Sequence, residues 1–142
     1  MKYLAPYRLA TYLLVFFAIA HTAGGMFGQR AEGGQAEAVF HAMKAVKFPM
    51  MGATCSWYGY WLGFGLMVTA FLLFSAVLTW NLAGLTRAQR QPLAPLTWAL
   101  CATFVASAVI GWAYFFAPPA VTSTLIAILV GLESVRDARA AR

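Results

Sequence analysis

The chain has 142 residues, 62% of them hydrophobic and 10% charged, with ten Lys and Arg against four Asp and Glu for a formal net charge of +6. A water-soluble domain of this length cannot bury so much apolar surface, so the composition excludes an ordinary globular protein and points to a polytopic membrane protein. The positive charge is no nucleic-acid footprint either, because its positions follow membrane topology.

Residues 9–28 form the first long apolar stretch. About 20 apolar residues in a helix cross a hydrocarbon core of about 30 Å. Lys2 and Arg8 followed by an apolar run and small residues imitate a signal peptide, but the span length predicts a retained first helix. Ala20, Gly24 and Gly28 recur every four residues, a small-residue face that lets helices approach closely in lipid. His21 lies in the outer third of this span. It is the one side chain inside a predicted span that ordinarily titrates near neutral pH.

Residues 29–56 are the only sizeable loop. Within it Ala36, Val39, Phe40, Met43 and Val46 keep helical spacing, with Glu37, His41 and Lys44 on the opposite side. The pattern predicts a short amphipathic helix lying on the membrane or capping the spans, ended by Phe48-Pro49. Met26, Met43, Met50, Met51 and Cys55 gather on the same side, with His41 nearby and His21 below. Thioether, thiolate and imidazole donors suit copper(I), yet no two stand at a recognised metal spacing, and methionine is a common packing residue. Copper handling is a minor alternative, and no residue is assigned as a metal ligand.

The second stretch covers residues 57–82. Trp57, Tyr58, Tyr60 and Trp61 crowd its outer mouth, with Trp112 and Tyr114 at matching depth in the third. Such rings form the interfacial belt of many membrane proteins, the reading that their position favours, and the alternative is a site for a hydrophobic ligand. Gly59 and Gly63 repeat the small-residue spacing. Pro92 and Pro95 open the third stretch, residues 96–116, where Thr103, Ser107 and Gly111 repeat it again. Pro118-Pro119 turn the chain into the fourth, residues 118–132, with Ser123, Ala127 and Gly131. Four such faces predict an all-α fold: a bundle of four transmembrane helices with the short amphipathic helix in its first, outside-facing loop. The whole chain is then one integral membrane domain. Gly24, Gly28, Gly63, Ser123 and Gly131 are its expected helix-packing positions.

Lys2, Arg8, Arg87, Arg90, Arg136, Arg139 and Arg142 flank one side of the spans, and only Arg30, Lys44 and Lys47 the other. The positive-inside bias therefore predicts both termini in the cytoplasm. Cys55 then lies at the outer surface and Cys101 in the cytoplasmic half of the third span, on the order of 20 Å deeper. An intrachain disulfide between them is not expected, because it needs the Cα atoms within about 7 Å. Glu32, Glu37, Glu133 and Asp137 all fall outside the predicted spans. That placement argues against paired-carboxylate catalysis in the membrane and against a carboxylate-driven proton-coupled transporter. No nucleophile elbow, Walker loop, zinc motif or dinucleotide fingerprint appears, and no cofactor is assigned.

The run Phe48-Pro49-Met50-Met51-Gly52, then Ser56-Trp57 and Gly63-Phe64-Gly65-Leu66, with His21 and Tyr114-Phe115-Phe116, resembles an uncharacterised family of small bacterial four-span inner-membrane proteins. The resemblance covers most of the chain. It implies a multi-pass protein of the bacterial inner membrane and no particular reaction. In that family an arginine often stands at the position of Cys55 and an aspartate at that of Gly59, so this chain lacks a charged pair.

The functional expectation is a non-enzymatic protein that binds a hydrophobic small molecule, a lipid or a partner's transmembrane helix at its outer mouth. His21, Tyr58, Tyr60, Trp61 and Tyr114 are the candidate ligand-binding residues. The alternative is a membrane enzyme acting on a lipid-like or isoprenoid substrate, with His21 as acid or base and Tyr58, Tyr60 or Tyr114 assisting. A buried His–Tyr hydrogen bond favours the enzyme; a plain helix contact from His21 favours the binder. Beyond the lipid bilayer, the expected partners are a hydrophobic small molecule or another membrane protein, and no nucleic acid.

Overall fold

A computed structural model describes residues 5–28 and 33–140. The fold class is all-α. Helix α1 (Pro6–Ala20) continues as a π-helical segment, His21–Phe27. Then come α2 (Gly34–Ala45), the strands β1 (Lys47–Met50) and β2 (Ala53–Ser56), α3 (Trp57–Gly84) and the short α4 (Arg87–Arg90). A 3-10 turn, Gln91–Leu93, leads to α5 (Ala94–Tyr114) and α6 (Ala117–Ala140). Among the described residues, four stretches are long and apolar enough to cross a membrane: Pro6–Phe27, Trp57–Gly84, Arg87–Tyr114 and Ala117–Ala140. The chain divides into two compact units, residues 18–71 and the remainder, so α1 and α3 each contribute to both.

The larger unit holds the first part of α1, the second half of α3, and α4 to α6. Its α5 and α6 form an antiparallel pair built on small residues. In α5 the buried positions are Thr97, Leu100, Phe104, Ala108 and Gly111; in α6 they are Ala120, Ser123, Ile126, Ala127, Val130, Glu133, Ser134 and Asp137. Both sets step by three and four, one helical stripe each. A Cβ at Gly111 would sit 2.9 Å from the Cα of Ala120, and one at Gly131 3.2 Å from the Sγ of Cys101. In lipid, where apolar burial supplies no drive, this closeness gives the dispersion contacts that hold helices together. Hydroxyls add to it: Thr11 Oγ1 and Thr79 Oγ1, both buried, lie 2.8 Å apart and tie α1 to α3. Trp112 Nε1 donates to Thr124 Oγ1.

The smaller unit holds the π-helical segment, α2, the β1–β2 hairpin and the first half of α3. The π turn is locked onto α3 at one place. His21 Nε2 donates to the carbonyl of Gly65 at 3.0 Å, and Thr22 Oγ1 and Thr69 Oγ1 lie 2.8 Å apart. Met26 covers the same point: a Cβ on Gly65 would fall 1.9 Å from its Sδ. A π-helical turn is less favourable than an α turn and persists where tertiary contacts require it. Here those contacts come from His21, Thr22 and Met26.

Two features depart from the sequence expectations. The chain does not simply loop from α2 into α3, because residues 47–56 pair as an antiparallel hairpin, Lys47 opposite Ser56 and Met50 opposite Ala53. Its turn residues Met51 and Gly52 have φ of 47° and 86°, the positive values of a two-residue primed turn. In addition, α6 runs on past Leu132 to Ala140, carrying Glu133 and Asp137 with it. Both carboxylates, which the sequence places outside the predicted spans, are buried within the protein, because Arg90 is there to meet them.

Candidate functional site

The first turns of α3 present three faces, set by helical spacing. Trp57 and Tyr60 meet the hairpin side. Phe48 of β1 packs at 4.9 Å from Trp57 and 5.7 Å from Tyr60, centroid to centroid, and the Tyr60 hydroxyl donates to the sulfur of Met50. Tyr58 and Trp61 meet α2: Phe40 stands edge-on to Trp61 at 5.9 Å, and the Lys44 ammonium lies 4.7 Å above the Tyr58 ring. Offset and edge-to-face rings at these distances attract beyond their buried area, and a cation over a ring adds to that. The aromatic cluster therefore anchors both the hairpin and α2.

The third face is left uncovered. Gly59, Tyr60, Gly63, Phe64 and Met67 follow one another at helical intervals along α3, and with Thr54, Cys55 and Ser56 of β2 they line an open groove of about 480 Å³. Gly59 and Gly63 form its floor. A Cβ at Gly63 would meet nothing within 4 Å, and one at Gly59 only the Oγ of Ser56. Apolar side chains wall one side, while hydroxyls and the Cys55 thiol stand at the β2 end. Such a mixture suits a molecule with a long apolar part and a small polar end.

The sequence candidates do not form one constellation. Tyr60 lines the groove, whereas Tyr58 and Trp61 belong to the α2 seam. His21 is held against the Gly65 carbonyl, a contact between helices. Tyr114 lies in the larger unit and is 81% exposed. Among the packing candidates, Gly131 and Ser123 face the α5–α6 seam, but a Cβ at Gly24 or Gly63 would meet nothing within 4 Å. A Cβ at Gly28 would meet the Ala23 carbonyl oxygen of its own turn at 2.6 Å. Of the soft donors, Met26 covers Gly65 and Met50 accepts from Tyr60. No three His, Cys, Asp or Glu converge among the described residues. Cys55 and Cys101 are free thiols.

A buried polar cluster in the larger unit has no counterpart among the sequence candidates. Thr86 and Gln89 form a capping box that starts α4 and sets Arg90 facing inward. Arg90 uses all five of its N–H donors. Nε and Nη2 grip Asp137 at 2.7 and 2.9 Å, Nη2 also reaches Glu133 at 3.4 Å, and Nη1 donates to the carbonyls of Leu85 and Leu82. Its guanidinium lies 5.5 Å from the Tyr7 ring. Arg136 completes the cluster by donating to Glu133 at 2.8 Å. A signal for it was present: Ala127, Val130, Ser134 and Asp137 prolong the apolar stripe of α6 at the same spacing.

No protein-family model, no curated protein and no solved structure matches the chain.

Proposed function

We propose that this is a multi-pass protein of the bacterial inner membrane, both termini cytoplasmic, whose groove beside the hairpin binds a lipid-like molecule without transforming it. The observation that carries this reading is the uncovered Gly63. Gly111 and Gly65 are filled by neighbours, but Gly63 opens onto the space that Gly59, Tyr60, Phe64 and Met67 line. An acyl or isoprenoid chain lies along such a floor, with its polar end among Thr54, Cys55 and Ser56. Trp57 and Tyr60 are residues that favour the headgroup level, which suits this orientation. The His21–Gly65 contact supports binding over catalysis, because it uses the imidazole as a lock between helices.

Cys55 provides the test. In a Cys101→Ala background, the rate of Cys55 alkylation by a small maleimide is compared before and after stripping co-purified lipid with detergent. Slow alkylation that speeds up on stripping, and slows again when the lipid extract is returned, supports an occupied groove. A rate indifferent to lipid contradicts it.

A further inference from the structure

We propose that the larger unit carries a separate binding site for a phosphate-bearing anion, formed by Arg87 and Arg136 on the frame that Arg90 makes. Beside the Arg90 cluster lies an open cavity of about 450 Å³ lined by Ala5, Pro6, Tyr7, Ala83, Arg87, Arg90, Glu133 and Arg136. Arg90 is fully engaged and binds nothing further. The other two arginines are not. Arg87 makes no ion pair with any described residue, and Arg136, half exposed, uses one N–H on Glu133. The charges do not cancel: Arg87, Arg90 and Arg136 face Glu133 and Asp137, three against two, leaving one positive charge over.

The geometry selects the ligand class. Guanidinium groups offer planar, forked donors that match phosphate oxygens, and two on one rim hold such a group better than a single charge. Glu133 lines the same cavity and repels an anion, but Arg90 and Arg136 already occupy its two oxygens. The setting adds to this. Arg8 stacks 3.6 Å over Trp80 in the same unit, the pairing of an aromatic belt with basic residues that marks a headgroup level. Basic pockets between spanning helices are the usual cradles of anionic lipid headgroups. A free phosphate ester offers the same chemistry, and the experiment separates the two sources.

The full-length protein is purified in mild detergent as wild type, Arg87→Gln, and Arg87→Gln/Arg136→Gln. Native mass spectrometry measures retention of phosphatidylglycerol against phosphatidylcholine, and melting is followed with and without inorganic phosphate. A lipid headgroup site predicts a phosphatidylglycerol preference that falls roughly thirtyfold in the double variant, about 1 kcal/mol for each arginine, with no effect of inorganic phosphate. A free-ester site predicts that phosphate raises the wild-type melting temperature and leaves the double variant unchanged. Arg87→Gln breaks no ion pair, so it folds like wild type and must show part of either loss. A phosphatidylglycerol preference equal in all three proteins, with no response to phosphate, overturns the proposal. The groove beside the hairpin shares no residue with this site, so neither result bears on the other.

Discussion

Arg90 and His21 are both polar side chains placed where water is scarce, and their surroundings treat them differently. Arg90 sits among two carboxylates and two carbonyls, with every donor matched. Removing it leaves Asp137 buried without a counter-charge and Glu133 with only the half-exposed Arg136. Arg90→Ala is therefore expected to lower stability in detergent by about 3–5 kcal/mol, the usual cost of an orphaned buried charge. Replacing Arg90, Glu133 and Asp137 together by Met, Leu and Leu is expected to recover most of the loss, since the pair itself contributes little net stability. Chemical unfolding of the two variants checks both statements; equal loss in each contradicts the account of Arg90. His21 makes a smaller contribution. Its bond to Gly65 is a neutral polar contact between helices, so His21→Phe should cost on the order of 1 kcal/mol. His41 is exposed on α2, and His41→Ala should stay within about 0.5 kcal/mol of wild type. Matching melting curves for His21→Phe and wild type would mean that the π turn is held by Thr22 and Met26 alone.

The glycines decide how the helices meet. Gly111 faces the backbone of Ala120, which cannot swing aside, so Gly111→Ala should push α5 from α6 and cost about 1–3 kcal/mol. Gly63→Ala meets nothing and should be neutral or slightly stabilising, since alanine favours a helix by up to about 1 kcal/mol. Thermal unfolding of the pair checks the contrast; equal destabilisation would mean that Gly63 packs against protein. The hairpin offers an independent test. Met51 holds a positive φ while its side chain is fully exposed, so it bears the strain of that turn with no compensating contact. Met51→Asn should stabilise the protein by about 0.5–1 kcal/mol, since Asn-Gly suits the turn. A lower melting temperature for Met51→Asn would contradict that account. The four apolar helices, α2 and the proline-marked turn into α6 were legible in the sequence, because hydrophobic length and helical spacing are local signals. The hairpin was not: Phe48-Pro49-Met50-Met51 lacks the Asn-Gly or Asp-Gly that announces such a turn. Nor was the burial of Glu133 and Asp137, since a charged residue at the end of an apolar run reads as solvated until its partner is known. Likewise a stripe of small residues shows that close approach is possible, and only the neighbours tell Gly111 from Gly63.

Across the whole molecule, the aromatic side chains that suggest a binding mouth serve mainly to dock α2 and the hairpin on α3, and the space they leave is the groove over Gly59 and Gly63. Fusions of a cytoplasm-active and a periplasm-active reporter at residues 1 and 142 test the proposed topology; a periplasmic signal from either end contradicts it. The groove itself is tested most directly by blocking it. Gly63→Phe directs a ring into the groove from a Cβ that meets no protein atom within 4 Å, so the variant should keep the wild-type melting temperature after lipid is stripped. Lipid quantified by mass spectrometry on gently purified protein should then show one apolar species, bound to wild type, reduced roughly tenfold or more in Gly63→Phe as several methylene contacts of about 0.8 kcal/mol each are lost. The same species at the same occupancy on a folded Gly63→Phe protein would contradict the central claim.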